Sequence, residues 1–377
     1  LLRAEWPVLL AEYVGRSANG FDALVALAET VGAPVVDVNA RLNFPSCHPL
    51  NLSLSPAAFE SADLIVGLDL RDWQKPTHKM NWIDRTAQPI YPPTCRWVEI
   101  GFGDVEISKW STDYQRFPDA VERIIADTAL AIPALTDICR RRLQNDPETA
   151  RRVAQRASAV GQRHAALRSG WRVDADKNRD AVPMTEPRLA LEIWNAIKDE
   201  DWVLSASTLN EWARKLWDFD RSYRHPGRAL GTGTQIGISL GVALAHKGTG
   251  RVVIDIQPDG DLLFDTGALW TAARYELPML TIMFNNRAYY NDWNHQIEVA
   301  EHRGRPLERA HIGQDIIEPP PDFATIARGF GWHAEGPIER PDEFGPAIAR
   351  AIAVVKAGKP ALIDAIVRRK HERVEAQ

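Results

Sequence analysis

The sequence predicts an α/β protein made of two doubly wound parallel-sheet domains joined by a helical linker. Short apolar runs alternate with helix-length segments, the pattern of a parallel sheet covered on both faces. This alternation stops over a long charged stretch and then resumes. The chain has 377 residues, more than the roughly 150 of a typical domain. We therefore expect domains at residues 1–140 and 187–377, with a helical linker at 141–186.

In the first domain, apolar runs predict four strands, and the segments between them predict two helices. In Phe21 to Val31 the apolar side chains recur three and four residues apart, which indicates a helix with one buried face. A second, shorter helix is expected at Pro56 to Ala62. The strands are expected at Val8 to Val14, Pro34 to Val38, Asp63 to Leu68 and Arg96 to Ile100.

Between about Pro118 and Pro187 the sequence is helical in pattern and rich in arginine. A nucleic-acid-binding face is one interpretation of such a stretch. However, no aromatic residues interleave with the arginines to stack bases, and acidic residues dilute the positive charge. We therefore favour a solvated linker. The arginines are Arg140, Arg141, Arg142, Arg151, Arg152, Arg156, Arg163 and Arg168.

The alternation of strands and helices resumes after Pro187 and continues to the end of the chain. Strands are predicted at Trp202 to Ser205, Val252 to Ile256, Met279 to Phe284 and Ala361 to Val367. Helices are predicted at Leu189 to Ile197, Leu209 to Leu216, a glycine-rich start to Ala245, Gly267 to Tyr275, Asp322 to Phe330 and Asp342 to Lys356.

Composition excludes several classes of protein. Hydrophobic residues make up 45% and charged residues 25% of the chain, which is typical of globular proteins and not of disordered or fibrous ones. The net charge of −5 gives no general attraction to nucleic acid or acidic membranes. No run approaches a membrane span and no signal peptide is recognisable. Three widely spaced cysteines indicate neither disulfides nor a zinc site, so we expect a cytoplasmic protein.

Two strand ends carry the residues that indicate chemistry. The strand Val252 to Ile256 leads into Asp259-Gly260-Asp261, and the strand ending at Phe284 leads into Asn285-Asn286. One loop, one helix and one strand separate the two segments, so they form a single crossover and their ends are expected to be neighbours. Carboxylate, amide and carbonyl oxygens suit Mg²⁺, and Gly260 allows a phosphate to approach the backbone.

The segment from Pro258 to Asp292, PDGDLLFDTGALWTAARYELPMLTIMFNNRAYYND, resembles the signature of the thiamine-diphosphate-dependent enzymes of the acetolactate synthase and 2-oxo acid decarboxylase group. That signature begins Gly-Asp-Gly and ends Asn-Asn. The resemblance extends to Gly231-Thr232-Gly233, to the segment around Asp322 and to the first domain, which is similar to the nucleotide-binding-like central domain of that family. It covers most of the chain outside the linker.

The resemblance implies a role for each matching residue. Asp259, the side chain of Asn286 and the carbonyl of Ala288 would bind Mg²⁺. Gly260 and Asp261 would contact the diphosphate of the cofactor. Other residues expected to bind the cofactor are Gly231, Thr232, Gly233 and Tyr289. Tyr289, Tyr290, Asn291 and His295 follow the Asn-Asn loop and are candidates for substrate contact or for packing of that loop.

The sequence departs from the family pattern in three ways. Pro258 stands where the family usually has Gly, and Asp261 places a carboxylate where a small residue is common. The family also has a first domain that supplies a glutamate to activate the cofactor. That domain would precede Leu1, so we identify no catalytic residue in this chain.

We therefore expect a fragment or subunit of a thiamine-diphosphate- and Mg²⁺-dependent lyase or transferase that decarboxylates or ligates 2-oxo acids. Its partner would be a second copy, or another chain, that supplies the pyrimidine-binding domain. The alternative is a non-catalytic nucleotide-binding or assembly subunit with the same fold. A dinucleotide oxidoreductase is disfavoured, because the spacing Gly231-x-Gly233-x-x-x-Gly237 does not match the fingerprint. His295 and His302 are interpreted as surface residues.

Overall fold

The computed structural model describes residues 1–17, 19–38, 41–103, 119–227 and 231–371. The described part of the chain divides into two compact units. Unit 1 comprises residues 1–171 and 218–227, and unit 2 comprises the described residues of 172–217 and 228–377. The division falls inside one long helix.

Unit 1 contains a five-stranded parallel sheet in the order β2-β1-β3-β6-β7, with a separate antiparallel hairpin of β4 and β5. Because the order reverses direction at β1, the sheet is doubly wound, as predicted. The strands are β1 (Pro7–Ala11), β2 (Val35–Asp37), β3 (Leu64–Leu68), β4 (His78–Asn81), β5 (Thr86–Pro89), β6 (Arg96–Ile100) and β7 (Glu122–Ile124).

The helices of unit 1 cover this sheet and close its core. Side chains of β1 and β3 form one cluster with Leu24, Leu27 and Val160 from the helices. Four α-helices belong to the described part of this unit, the last of them continuing into unit 2. They are α1 (Gly20–Val31), α2 (Gln74–Thr77), α3 (Thr128–Gln144) and α4 (Pro147–Asp176).

The arginine-rich helix α4 is more buried than expected for a solvated linker. Arg156 is only 7% exposed and donates to the backbone oxygens of Ala4, Val31 and Gly32. Arg168 is also buried and pairs with Asp218 at 2.6 Å. The interpretation of these arginines as solvated was therefore wrong for Arg156, which satisfies buried backbone acceptors, and for Arg168, which forms an ion pair with Asp218.

Unit 2 contains the second parallel sheet, in the order β11-β12-β10-β9-β8. The central strands β9, β10 and β12 are buried almost throughout, which agrees with their continuous apolar sequences. The strands are β8 (Trp202–Ser207), β9 (Val252–Pro258), β10 (Leu280–Asn285), β11 (His333–Ile338) and β12 (Ala361–Ile366).

Helices cover both faces of the second sheet. On one face Val253, Met283 and Leu362 pack with apolar side chains of α7, α9 and α11, and on the other α12 packs on the strands and against α5. The helices are α5 (Glu186–Ile197), α6 (Asn210–Leu216), α7 (Gln235–His246), α8 (Asp259–Phe264), α9 (Ala268–Arg274), α10 (Tyr290–His302), α11 (Phe323–Gly329) and α12 (Pro341–Lys356).

The predicted strands and helices are present, with the following differences. The expected helix at Pro56 to Ala62 is a single 3₁₀ turn, Pro56–Ala58. The loop expected after Ile256 is instead the end of β9 followed at once by α8. Strands β7 and β11 and the β4–β5 hairpin were not predicted. They lie at sheet edges or outside the sheet and are exposed over much of their length, so their sequences lack an apolar run.

Within the described residues, none of the helices combines the length and the apolar character needed to cross a membrane.

Candidate functional site

The two segments singled out in the sequence lie side by side at the carboxyl edge of the second sheet. Strands β9 and β10 are paired in parallel, with Pro258 opposite Phe284. Asp259 follows the first strand directly, and Asn286 follows the second. The crossover predicted from the spacing therefore brings the acidic and the amide segment together.

Asp259 is a buried carboxylate at this edge, 1% exposed. Its Oδ1 accepts the N–H of Gly260 at 2.9 Å, and its Oδ2 accepts the N–H of Ala288 at 3.2 Å. Burial raises the pKa of the Asp259 carboxyl to about 7, against the opposing effect of these amides. Among the described residues its hydrogen-bond partners are backbone amides, and no basic side chain forms an ion pair with it.

Asn286 faces the same point. Its Oδ1 accepts the N–H of Ala288 at 3.0 Å, so this oxygen and Oδ2 of Asp259 share one donor. Arg287 between them has a φ of +55°, a left-handed turn that brings Ala288 back towards Asp259. The loop is held from outside by the hydrogen bonds of Tyr289 N to Gln314 O and of Ile316 N to Arg287 O.

Gly260 is required by a close contact. A Cβ at this position would lie 2.6 Å from Cδ1 of Tyr289, whose ring occupies the space where a side chain would otherwise lie. Tyr289 also makes an edge-on contact with Phe264 at the end of α8, with ring centres 6.0 Å apart. The glycine therefore lets the ring of Tyr289 pack directly on the start of α8.

Asp261 lies in the first turn of α8 and contacts the glycine-rich segment Gly231-Thr232-Gly233. Its Oδ1 accepts the N–H of Gly233, and its Oδ2 accepts Nε2 of Gln257 at 3.2 Å. Gly233 has a φ of +77°, which favours glycine. Both carboxylate oxygens are thus engaged by donors of unit 2, so Asp261 fixes the glycine-rich segment against α8.

Further polar side chains lie earlier along the strands of the same sheet. They share one face of the sheet, since residues i and i+2 of a strand point to the same side. Asp255 is fully buried and accepts Nε2 of Gln235 at 3.2 Å and the hydroxyl of Thr281 at 3.4 Å. Asp364 accepts Nδ2 of Asn285 at 2.9 Å. Burial raises the pKa of Asp255 to about 7 and that of Asp364 to about 6.

These residues surround a cleft of about 370 Å³ that lies within unit 2. All of the predicted cofactor residues line it except the two glycines, Gly231 and Gly233, that flank Thr232 in the chain. Tyr290 and Asn291 also line it, whereas His295 and His302 are exposed on α10. The lining is Glu186, Thr208, Leu209, Glu211, Trp212, Thr232, Pro258, Asp259, Gly260, Asp261, Phe284, Asn286, Ala288, Tyr289, Tyr290, Asn291, Asp292 and Lys370.

Several lining residues were missed by the sequence analysis. Thr208, Glu211 and Trp212 follow the carboxyl end of β8, and Lys370 follows the carboxyl end of β12. The rule that ligands bind at the carboxyl ends of parallel strands was sufficient to find them. Glu186, at the start of α5, carried no comparable signal.

The donor set fits a hard divalent cation. A buried carboxylate, an amide oxygen and the carbonyl of Ala288 are the oxygen ligands that Mg²⁺ prefers, and Asp259 lacks a cationic side-chain partner among the described residues. Among those residues there is no cluster of three His, Cys, Asp or Glu side chains that could form a different metal site.

Comparison with known proteins gives matches over the same region. The family model described as "Thiamine pyrophosphate enzyme, C-terminal TPP binding domain" matches residues 206–365. The chain is 25% identical over 395 residues to the probable acetolactate synthase 2, chloroplastic, of Oryza sativa subsp. japonica, covering 97% of this chain and 52% of that protein. It is 26% identical over 381 residues to benzoylformate decarboxylase of Pseudomonas aeruginosa, covering 97% and 61%.

The fold is shared with solved structures. The thiamine diphosphate-dependent 4-hydroxybenzoylformate decarboxylase of Rhodococcus jostii RHA1 aligns with a TM-score of 0.70 at 18% identity, over 98% of this chain and 63% of that one. The chain thus spans between about half and two thirds of the length of these proteins.

Proposed function

We propose that the chain supplies the diphosphate- and metal-binding part of an enzyme acting on 2-oxo acids. It carries the C-terminal TPP-binding domain of the thiamine pyrophosphate enzymes and belongs to their acetolactate synthase and 2-oxo acid decarboxylase family. The proposed reaction is decarboxylation or carboligation. The observation that carries it is the convergence of Asp259 and Asn286 on the N–H of Ala288 at the carboxyl edge of the sheet.

In this proposal Mg²⁺ is held by Asp259, Asn286 and the carbonyl of Ala288. The buried carboxylate supports the assignment, because burial disfavours its charge and a bound cation would restore it. All three oxygens follow the carboxyl ends of β9 and β10, which are hydrogen-bonded neighbours inside the sheet. The metal would therefore bind to a preformed set of ligands.

The residues around this point would bind and orient the cofactor. Thiamine diphosphate, when bound, supplies an electron sink for the loss of carbon dioxide from a 2-oxo acid. Gly260 lies in the wall of the cleft, and Thr208 and Thr232 bring hydroxyl groups to it. Asp261 keeps the glycine-rich segment in place through the N–H of Gly233. Tyr289 and Tyr290 add aromatic surface to the wall of the cleft.

We propose that the working enzyme is an assembly, either of two copies or with a chain that supplies a pyrimidine-binding domain. Large apolar side chains exposed on the adjacent helices α7, α8 and α9 support this. Leu244, Phe264 and Trp270 are between 56% and 64% exposed. We also propose a cytoplasmic location, since Cys47, Cys95 and Cys139 are all unpaired.

The test is thermal unfolding of the full-length protein with and without ligands. Mg²⁺ and thiamine diphosphate together should raise the melting temperature by roughly 5–10 °C at concentrations about a hundredfold above their Kd. Asp259→Ala should abolish the shift because it removes a metal ligand. Asp265→Ala, at an exposed aspartate after α8, is the matched control and should keep it. A wild-type protein without any shift would contradict the proposal.

The alternative, a nucleotide-binding or assembly subunit without turnover, is favoured by one feature, the carboxylate of Asp261 beside the expected diphosphate. The two functions differ in chemistry. Release of carbon dioxide from 2-oxo acids by the native assembly, lost in Asn286→Ala, would exclude the alternative. Cofactor binding without any turnover would support it.

A further inference from the structure

The chain after β12 lies along the loop that carries Asn286. We refer to Val367–His371 as the tail segment. Val367 N donates to Asn285 O at 2.9 Å, and Arg368 N donates to Met184 O at 2.8 Å. The guanidinium of Arg369 lies 3.5 Å from Arg287 O. The tail segment is therefore fixed by hydrogen bonds beside the proposed metal ligands.

Lys370 of the tail segment is the single cation among the described residues that line the cleft. Its Nζ lies 2.9 Å from Oε1 of Glu186 and 5.0 Å from the centre of the Tyr290 ring. His371 stacks on the same Tyr290 ring, with the two ring centres 5.1 Å apart. The ammonium group is thus held at a defined place in the wall of the cleft.

The ammonium of Lys370 retains capacity for a further partner. It has three N–H donors, one of which is directed at Glu186, and its side chain is still 49% exposed. The carboxylate of Glu186 is more buried, at 20%. The ammonium is therefore the more exposed member of the pair, and it lines the cleft.

The other charged residues of the lining are carboxylates: Glu186, Glu211, Asp259, Asp261 and Asp292. An anionic substrate would be repelled by these groups and attracted by Lys370 and by a bound divalent cation. The metal ligands lie at the diphosphate end of the proposed cofactor site. Among the described residues that line the cleft, Lys370 is therefore the side chain that can attract a substrate carboxylate.

We propose that Lys370 binds the carboxylate of the 2-oxo acid, and that Glu186 weakens this contact by competing for the same ammonium. The inference rests on the proposed function and adds a residue that determines specificity for acids over neutral carbonyl compounds.

If Glu186 competes for the ammonium of Lys370, substitutions of the two residues have opposite effects on the binding of a carboxylate. An ion pair with a purely structural role would not give opposite effects. Removing the positive charge should weaken the binding of a carboxylate. Removing the negative charge of Glu186 should strengthen it, because the ammonium no longer has an internal partner. The conservative change of Lys370 to arginine keeps the charge and should keep most of the binding.

The experiment uses the full-length protein in its native assembly, first titrated with thiamine diphosphate and Mg²⁺ by calorimetry. The loaded protein is then titrated with oxamate, which carries a carboxylate beside a carbonyl and cannot lose carbon dioxide as a 2-oxo acid does. Oxamide, the neutral analogue, is the matched probe. For oxamate we expect Kd to rise about tenfold in Lys370→Met, to fall severalfold in Glu186→Gln and to change little in Lys370→Arg. The Kd values for oxamide and for the cofactor should not change in any of these variants.

Changes in the same direction for Lys370→Met and Glu186→Gln would overturn the inference, as would equal losses for oxamate and oxamide. A loss of cofactor affinity in Lys370→Met would overturn it by assigning the lysine to the diphosphate. Absence of oxamate binding by the loaded wild-type protein would also overturn it. Failure of the first titration would instead contradict the proposed function, so the two failures are distinguishable.

Discussion

Gly260 is a position in the wall of the cleft where an added methyl group should be damaging. Its Cβ would meet the Tyr289 ring, so Gly260→Ala must displace either the ring or the start of α8. We expect a loss of about 1–3 kcal/mol in the free energy of unfolding and weaker cofactor binding. Denaturant unfolding and calorimetric titration measure the two effects.

Gly267 is the matched control for this substitution. A Cβ there would meet only Oδ1 of Asp265, at an ordinary 3.8 Å. Gly267→Ala should therefore change stability by less than about 1 kcal/mol. Equal effects of the two substitutions would mean that the close packing of Tyr289 on Gly260 is not what requires glycine.

Asp255 should make unfolding depend on pH in a direction opposite to that of most paired carboxylates. Its folded-state pKa of about 7 lies above its unfolded value, so the folded state binds the proton more tightly. The stability that this group contributes is present at low pH and is lost as pH rises from about 4 to about 7. We expect Asp255→Asn to gain stability relative to wild type between pH 5 and pH 8.

Asparagine suits this site because one of its polar atoms can still accept from Gln235 and the other can donate to the hydroxyl of Thr281. The comparison of wild-type and variant unfolding in denaturant at pH 5 and pH 8 checks the prediction. A stability difference that does not change with pH would show that Asp255 does not titrate in this range.

A site residue could be predicted from the sequence when the features that position it are close to it in the chain. Asp259 and Asn286 were identifiable because each directly follows an apolar strand, and the two strands are joined by one crossover. The role of Asp261 was not, since it depends on Gly233, which is distant in sequence. Glu186 and Lys370 form an ion pair although they are far apart in the sequence of unit 2. No spacing rule relates such residues.

The N-terminus of α11 provides a test of how one side chain stabilises a helix. Asp322 accepts the N–H of Thr325 at 2.7 Å and its hydroxyl at 2.6 Å, and these bonds lower the pKa of Asp322. Asp322→Ala should cost about 1 kcal/mol at pH 7. Because the pKa is lowered on folding, this contribution should begin to decrease as pH falls below about 4, and it should be lost as pH falls through the lower pKa of the folded state.

Unfolding of Asp322→Ala and wild type at pH 7 and pH 3 measures the change. Asp322→Asn retains an acceptor and should lose less at pH 7. A cost that is the same at both pH values would indicate that the carboxylate form does not provide the cap.

Helices and strands with a clear apolar period were predicted, and those without one were not. β11, with the sequence His-Ala-Glu-Gly-Pro-Ile, is an edge strand and lacks a continuous apolar run. The start of α8 at Asp259 was not predicted, because the residues Asp-Gly-Asp at that point are typical of a turn. Arg156 is buried because it caps the carbonyl end of α1, a tertiary contact that charge pattern alone does not indicate.

Hydrogen exchange should distinguish the two units of the chain, because added ligands should slow exchange in unit 2 and not in unit 1. Thiamine diphosphate and Mg²⁺ bound at the proposed site should slow exchange in residues 259–264 and 286–290, because these amides surround the cleft. The strand Pro7–Ala11 of unit 1 is the internal reference and should not change. Mass spectrometry of peptides from the two regions, with and without ligands, is the measurement. Protection confined to unit 1 would place the cofactor elsewhere.

The division into two doubly wound sheets followed from the alternation of strands and helices and from its interruption by the charged stretch. The order of the strands did not, because β3 and β6 pair across the inserted β4–β5 hairpin, and β10 pairs with β12 rather than with β11. Parallel pairing between distant strands is decided by tertiary packing, which a single sequence does not encode as a local pattern.

The pairing of β9 with β10 has a practical consequence for protein engineering. The spacing of Asp259 and Asn286 is set by sheet register, with Leu280 opposite Ile254, and not by the length of the connecting chain. A reporter peptide grafted into the exposed turn near Glu276 should leave the ligands in place. A single residue inserted inside β10 would instead exchange its inward and outward side chains and move Asn286 out of reach.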